Sequence, residues 1–540
     1  MSRRAKRRCL RYGWLAAPLV GVLMVSACTS SGSSGSNSSH GSGTLTVGVT
    51  SPLATLNPAL LNANPSYLWM NELAYGALIS YQPDGSFAPD MATSFGYVGS
   101  GNTKFQLKLR SGVKFADGAA LTAQAVAASL NYSFKTGTSG PVRDPAFTSA
   151  TATGPLSVLI SCSAACPSLP LTLSQSGIVG SVISPAGLRD KNALGTKTFG
   201  AGPYVLNSGQ TVVNDHYTFD ANANYYKASS LHYKHVVVRI ISDPSARIAA
   251  LKAGTVSLID YVPTQQAASV KSSGLTILPE PSGVVSMLFH DRVGHPSPGD
   301  PQGAIYSPPL GNKLVRQALS MAVDRKKLTD SLGHGYVTPS AQWTAPTAGG
   351  YDPTLEGQYA YNPTKAKTLL TQAGYPNGFT VKVLTQKTNG NDLWALGIAQ
   401  YWEKIGVKVQ LTDTPDLTAF FSDAVKYPVV LGQYGAGSLP YSIEVNDYYG
   451  TGGWTNQFSP DPTIAKMIAR ANAQPEAQAQ KTYLAINRYA VENALNMGVG
   501  TLSYLFAYNQ KTINVTTCPK PTNAGQFVNC APLITQIAPA

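Results

Sequence analysis

Residues 75–134 read YGALISYQPDGSFAPDMATSFGYVGSGNTKFQLKLRSGVKFADGAALTAQAVAASLNYSF, and three kinds of local structure follow one another along them. Tyr81 to Gly85 (YQPDG) places Pro, Asp and Gly between apolar segments, the chemistry of a tight reversal. From Thr103 to Leu109, Phe105, Leu107 and Leu109 alternate with Lys104, Gln106 and Lys108, so an extended chain would be apolar on one side only. This predicts a half-buried strand. Asp117-Gly118 turns the chain again, and Thr122 is placed to cap a helix whose Val126, Leu130 and Phe134 share one stripe.

Upstream, Met1 to Ala27 has the layout of a lipoprotein signal peptide. Six basic residues (Arg3, Arg4, Lys6, Arg7, Arg8, Arg11) precede an apolar run from Trp14 to Val25, and Val25-Ser26-Ala27-Cys28 follows. The run is too short to span a bilayer. Cys28 is therefore the expected lipidated N-terminus, with cleavage nearby in an ordinary secreted protein as the alternative, and Arg7-Arg8-Cys9-Leu10 is a weak twin-arginine signal. Residues 28–43 are rich in Ser and Gly and cannot bury a core; the stretch is expected to be a flexible tether reaching about 20 Å. The expectation is a chain anchored to the membrane, not spanning it.

Charge excludes one class of partner. The chain has 40 basic and 27 acidic residues, a formal charge of +13; without the six cations of residues 1–27 this falls to 34 against 27, or +7. No Lys/Arg-rich run interleaved with aromatics follows residue 28, so no nucleic-acid partner is expected. Of six cysteines, Cys9 leaves with the signal peptide and Cys28 takes the lipid. Cys162 with Cys166, and Cys518 with Cys530, are close pairs in loop-like sequence, which in an exported chain reads as two local disulfides. Four thiols binding a metal is the alternative, although spacers of three and eleven residues suit zinc poorly.

Leu45 to Val49 and Val236 to Ile241 read as strands, and Asp243-Pro244 opens a helix running to Lys252 and closed by Gly254. Leu314 to Leu332 has helical apolar spacing, and Asn362-Pro363 starts a helix that stops at Gly374. Phe379 to Thr385 and Val407 to Leu411 are strands flanking another helix, and two more helices follow at Asp461 to Ala471 and Pro475 to Asn493. Strands alternating with helices predict an α/β chain.

Three motifs have catalytic potential. Ser111-Gly112-Val113-Lys114, Ser129-Leu130-Asn131 and Lys135-Thr136-Gly137 spell S-x-x-K, S-x-N and K-T-G, the set of envelope serine acyltransferases. All three are crowded into one short stretch and Lys114 sits at a strand end, so no catalytic residue is assigned. His232 and His235, three apart on extended chain, point to opposite faces and suit no single metal.

The chain resembles the family 5 extracellular solute-binding proteins of ABC importers. Tyr75 to Leu78, Gln82 to Gly85, Pro89 to Ser94, Gln106 to Gly118 and Leu121 to Val126 follow that family's segments in order, Gln124-Ala125 replacing its usual acidic pair. Gly200 to Leu206 (GAGPYVL), Asn222 to Tyr226 (NANYY), Leu314 to Leu332 (LVRQALSMAVDRKKLTDSL) and Asn362 to Gly378 (NPTKAKTLLTQAGYPNG) match further segments, so the likeness runs from Leu45 to Ile513.

The resemblance implies a two-lobed periplasmic-binding-protein (Venus-flytrap) fold of the large peptide-binding type. Lobe one would comprise 44–284 plus 505–540, with an extra subdomain inserted at about 72–195, and lobe two 285–504. It implies that Asn62, Ala63 and Asn64, after Leu56-Asn57-Pro58, line the cleft, a plain surface loop being the alternative. Val429 to Tyr441 (VVLGQYGAGSLPY) matches the family's G-W-x-A-D-[YF]-x-D-P cleft segment, which makes Tyr434, Gly435, Ala436 and Gly437 ligand-binding candidates. Tyr434 replaces the usual Trp. Gly437 stands where peptide-binding members carry the Asp that holds the ligand's α-ammonium, with Glu444 and Asp447 as possible substitutes. The implied function is a lipid-anchored, monomeric receptor on the outer face of the cytoplasmic membrane or in the periplasm. It would bind a peptide or other small solute for a permease and its ATPase, with no cofactor, metal or catalysis. Alternatives are a metal chelate, haem, opine or antibiotic as solute, a sensor, or, remotely, an envelope serine acyltransferase.

Overall fold

The computed structural model describes residues 43–53, 55–61, 65–137, 146–292, 306–346, 348–387, 390–414, 417–435, 441–450, 459–516 and 532–540. Cys28, Asn62, Ala63, Asn64, Ala436, Gly437, Cys518 and Cys530 lie outside them.

Among the described residues, eleven strands form one mixed sheet. In its first half β1 (Thr44–Val49), β2 (His216–Ala221) and β3 (His235–Ile240) are neighbours, β1 pairing with β3 in parallel and β3 with β2 antiparallel. Two long strands leave this half: β4 (Thr276–Phe289) and, far downstream, β8 (Asn496–Tyr508). Between them in sequence come β5 (Thr380–Gln386), β6 (Lys408–Thr414) and β7 (Val429–Gly435) of the second half. Strands β5 and β6 are parallel and β5 and β7 are parallel, while β7 meets β4 antiparallel.

The chain crosses between the halves twice, once on β4 and once on β8, and the two are antiparallel partners from Thr276 opposite Tyr508 to Leu288 opposite Asn496. The register slips between Pro281 and Gly283 and again between Val285 and Ser286. Pro279 and Pro281 have no N–H to give the ladder, and a bulge adds bend and twist, so the joint is weakest where the halves meet.

Each half is covered on both faces, as parallel strands require. In the first half α1 (Pro65–Tyr75) packs Trp69 and Leu73 on Val47, Val236, Phe219, Leu278 and Phe506. The opposite face carries helix Pro244–Lys252, through Ile248 and Leu251. Inserted after α1 is a separate antiparallel sheet in the order Ala92–Tyr97, Lys104–Leu109, Ser157–Cys162, Phe147–Gly154. The alternation read at 103–109 is realised there: Phe105, Leu107 and Leu109 are buried against α2 (Ala123–Thr136), which supplies Val126, Leu130 and Phe134. Thr122 caps α2, its hydroxyl accepting from the Ala125 N–H at 3.2 Å. Upstream, Ile79–Tyr81 and Phe87–Pro89 form a hairpin around the YQPDG turn, with Gly85 at φ 81° as the left-handed residue the turn requires.

In the second half, α3 (Asn391–Glu403) crosses from β5 to β6 and packs Trp394, Ile398 and Trp402 on Val381 and Val383. Leu314 to Leu332 forms two helices, Lys313–Met321 and Arg325–Leu332, because Asp324 leaves the helical path and caps the second with its side chain. Asn362 caps the helix Pro363–Gln372 by accepting from Lys365 N–H at 2.8 Å. Three further helices, α4 (Tyr441–Tyr449), α5 (Pro462–Ala473) and α6 (Glu476–Glu492), share a core built on Val445, Tyr449, Ile464, Ile468, Tyr483 and Ile486.

Candidate functional site

Parallel strands present their C-terminal edges together, and open sheets bind ligands beyond such edges. In the second half that edge is formed by Gln386 at the end of β5 and Tyr434-Gly435 at the end of β7. Tyr434 is paired with Val284 and Gly435 with Gly283, one step past the bulge where β4 arrives from the other half. The edge residues therefore stand beside the crossing strands.

Tyr434, Val284, Val430 and Leu384 share one face with Trp343 and Phe420. Trp343 lies 6.3 Å from Tyr434 and 3.5 Å from Tyr448 of α4, ring centre to ring centre, and Tyr448 is 5.9 Å from Tyr434. Side chains alternate along a strand, so Gln386, two residues after Leu384, lies on this same face. Among the described residues, the Tyr434 hydroxyl, Trp343 Nε1 and Gln386 Oε1 are buried with no hydrogen-bond partner. Native folds leave few such groups, and burial of an unpaired polar atom costs about 1–3 kcal/mol. A wall of flat rings carrying two unused O–H or N–H donors and an amide acceptor can bind an amphipathic solute by stacking and hydrogen bonding. Burial raises the Tyr434 phenol far above its ordinary range, which keeps it a neutral donor.

Two buried carboxylates lie on elements that contribute to this wall. Glu444 is buried on α4, one turn before Tyr448 on the same helical face. Glu280 is buried on β4 opposite Tyr504, and burial pushes its carboxyl up to about 7; burial followed by the charge of Glu280 pushes the Tyr504 phenol up to about 12. Asp447 lies on α4 between Glu444 and Tyr448 in sequence.

From the first half, Asn62, Ala63 and Asn64 are outside the described residues, but their flanks are fixed. Ser66, at the start of α1, donates to Asp260 Oδ2 at 2.8 Å, and Thr50, just after β1, donates to the same carboxylate through its N–H at 3.1 Å and its hydroxyl at 2.7 Å. Buried Arg247 holds that corner with donations to Ile241 O at 2.6 Å, Tyr261 O at 2.7 Å and Asp260 O at 3.1 Å. Asn57 is occupied: its amide donates to the Tyr132 hydroxyl at 2.8 Å and accepts from Ala59 N–H at 3.1 Å, which makes it a cap.

Several polar groups are committed to the fold. Ser129 is buried and its hydroxyl accepts from Ile183 N–H at 2.8 Å, while Lys114 and Ser111 are exposed. His235 pairs through Nδ1 with Asp220 Oδ1 at 2.7 Å. The sulfurs of Cys162 and Cys166 are bonded to each other, with their Cα atoms 6.4 Å apart. Two arginines whose role sequence reading missed hold the start of β8: Arg316 donates to Ala494 O at 2.9 Å and Asn493 O at 3.0 Å, and Arg325 to Gly498 O at 2.7 Å. Burial lowers both guanidinium groups to about 10.

This architecture recurs in known proteins. The chain is 32% identical over 222 residues to heme-binding protein A of Haemophilus influenzae, a match covering 40% of this chain and 37% of that protein's length. It is 26% identical over 384 residues to the glutathione-binding protein GsiB of Escherichia coli O1:K1 / APEC, covering 68% of each. The solved structure of the periplasmic binding protein AgaA from A. tumefaciens R10 in complex with agropinic acid superposes with a TM-score of 0.70 at 24% identity, covering 87% of this chain and 94% of that one. These neighbours share the two-lobed mixed α/β fold, the halves joined by β4 and β8 being its lobes. No helix of the described residues is long and apolar enough to cross a membrane. Residues 86–456 match the model of the bacterial extracellular solute-binding proteins, family 5, and with more than half of its length so matched the chain belongs to that family.

Proposed function

We propose that this protein, a family 5 solute-binding protein of an ABC importer, captures a peptide or peptide-like solute between its lobes and delivers it to a membrane permease while tethered by lipid on Cys28. The observation that carries this reading is the unpartnered set on the lobe-two wall, Tyr434 hydroxyl, Trp343 Nε1 and Gln386 Oε1, beside the strands on which the lobes join. Asn62, Ala63 and Asn64 would meet that wall from lobe one, and Gly435, Ala436 and Gly437 would follow Tyr434 along it. Closure is then driven by contacts that one solute makes to both lobes. Residues 44–284 plus 505–540 form lobe one in this reading, 285–504 lobe two, and the work is binding, with no bond broken.

The solute's own chemistry is constrained at residue 437. Glycine there offers no carboxylate, and a buried unpaired ammonium is costly, so a free peptide amine would rest on Glu444 or Asp447 or be absent. A relative named for haem and a structural neighbour holding agropinic acid make a non-peptide solute the second reading, while a relative named for glutathione, itself a tripeptide, fits the first. Native mass spectrometry of the protein from Thr44 onward tests the function. A co-purified mass that disappears after denaturation and refolding is expected, together with compaction of the bound form in small-angle scattering. A bound protein that does not compact overturns capture between lobes. Titration with free-amine and N-acetylated forms of one peptide separates the two chemistries.

A further inference from the structure

Asn102 lies in the turn between strands Ala92–Tyr97 and Lys104–Leu109 of the inserted subdomain, far in sequence from lobe two, yet it ends on lobe two. Its Nδ2 donates to Asn472 O at 2.9 Å and to Gln474 O at 3.0 Å. An amide NH2 has two hydrogens, one for each carbonyl. The carbonyls at the C-terminus of a helix lack intrahelical partners, so Asn102 caps α5 from another part of the chain.

Both ends of this contact are braced. Asn102 holds φ 51°, in the left-handed region that Asn tolerates better than most residues. Its carbonyl accepts from Cys166 N–H at 3.0 Å, and the neighbouring Thr103 carbonyl from Cys162 N–H at 2.9 Å. The loop closed by the Cys162–Cys166 bond thus grips the turn on both residues. On the far side, Asn472 exchanges side-chain amide hydrogen bonds with Asn446 of α4, each 3.0 Å. Helix α4 carries Glu444 and Tyr448, the latter packed at a tilt against Trp343 of the candidate wall.

We propose that Asn102 is a positioning residue for solute capture: the inserted subdomain clamps the end of α5 and, through the Asn472–Asn446 pair, sets the helix that presents Glu444 and Tyr448 to the site. This rests on the solute-receptor reading for its purpose but not for its test. Asn102→Asp keeps the turn and puts carboxylate oxygen against two carbonyls; Asn102→Gly keeps the left-handed backbone and removes the side chain.

Hydrogen–deuterium exchange of the solute-free mature protein reads the result. In both variants amides of α5 and α4 are expected to exchange about tenfold faster, as loss of one to two hydrogen bonds implies, while α1 and the insert sheet are unchanged. Asn446→Ala should free α4 and leave α5 protected. Loosening confined to the insert, or to α5 without α4, overturns the proposal. Because no solute is added, failure here is distinct from failure to find a ligand.

Discussion

The ring of Tyr434 lies back over Gly432, two residues earlier on β7: a methyl group at 432 would stand 3.0 Å from the ring carbon Cζ and 3.1 Å from the hydroxyl. The lobe-two wall has its shape because that position carries no side chain. Gly432→Ala should therefore displace the ring, lowering stability by about 1–3 kcal/mol as overpacking does. Combining it with Tyr434→Ala should recover part of the loss, a coupling that a double-mutant cycle in urea unfolding measures.

Tyr434→Phe separates binding from folding. The hydroxyl has no partner within the described residues, so its removal should leave solute-free stability unchanged or raise it by about 1 kcal/mol. Affinity for the solute recovered by native mass spectrometry should fall about five- to tenfold, one hydrogen bond's worth. Unchanged affinity alongside raised stability would remove Tyr434 from the site.

Glu280 gives a pH dependence. Its carboxyl is pushed from 4.5 up to about 7 by burial, so the folded state keeps a proton that the unfolded chain has already released. Stability from this group is therefore lost as pH rises from 4.5 to about 7, by up to about 3 kcal/mol, and stays lower above that. Glu72, pushed up to about 7 mainly by burial, adds a slope of the same sign; buried His290, lowered to about 4, acts oppositely as pH falls below its ordinary value. Glu280→Gln should gain stability relative to wild type between about pH 5 and about pH 8 in urea titrations. A constant difference across that range would place the titrating proton elsewhere.

Arg325 joins Gly498 O on β8 to Ser320 O and Tyr359 O, with distances of 2.7, 3.0 and 3.1 Å. Arg325→Met removes every donor at once and should cost about 3–5 kcal/mol, and Arg325→Lys should recover little, since one ammonium cannot span the planar fork. Urea unfolding of both variants checks this.

Much of the fold was legible because its signals are short-ranged. The YQPDG turn, the alternation at 103–109, the Thr122 cap and the Asn362-Pro363 start depend on residues within one turn or one strand of each other, and each stands where the sequence places it. Spacing at Leu314 to Leu332 gave the helical face but not its break at Asp324, since an acidic cap and an exposed helical residue look alike until the next turn is placed. Ordered segments along the chain also pointed to the family.

What local pattern could not carry was partnership across the chain. Arg316 and Arg325 read as parts of amphipathic helices, yet Arg325 donates to Gly498 O on β8 and Arg316 to Ala494 O just before it, each more than 150 residues away. Nothing in the local sequence singles out Asn102, and only the docking of the insert on α5 gave its amide two carbonyls. Trp343, Tyr434 and Tyr448 come from a bend, from β7 and from α4, and become one wall because all three pack on the sheet face of Val284, Leu384 and Val430. The sequence by itself determined the elements and the family, because turns, caps and periodicity are written in adjacent residues. The tertiary structure decided which polar groups are spent on the fold and which remain for a solute, because that depends on what burial brings together.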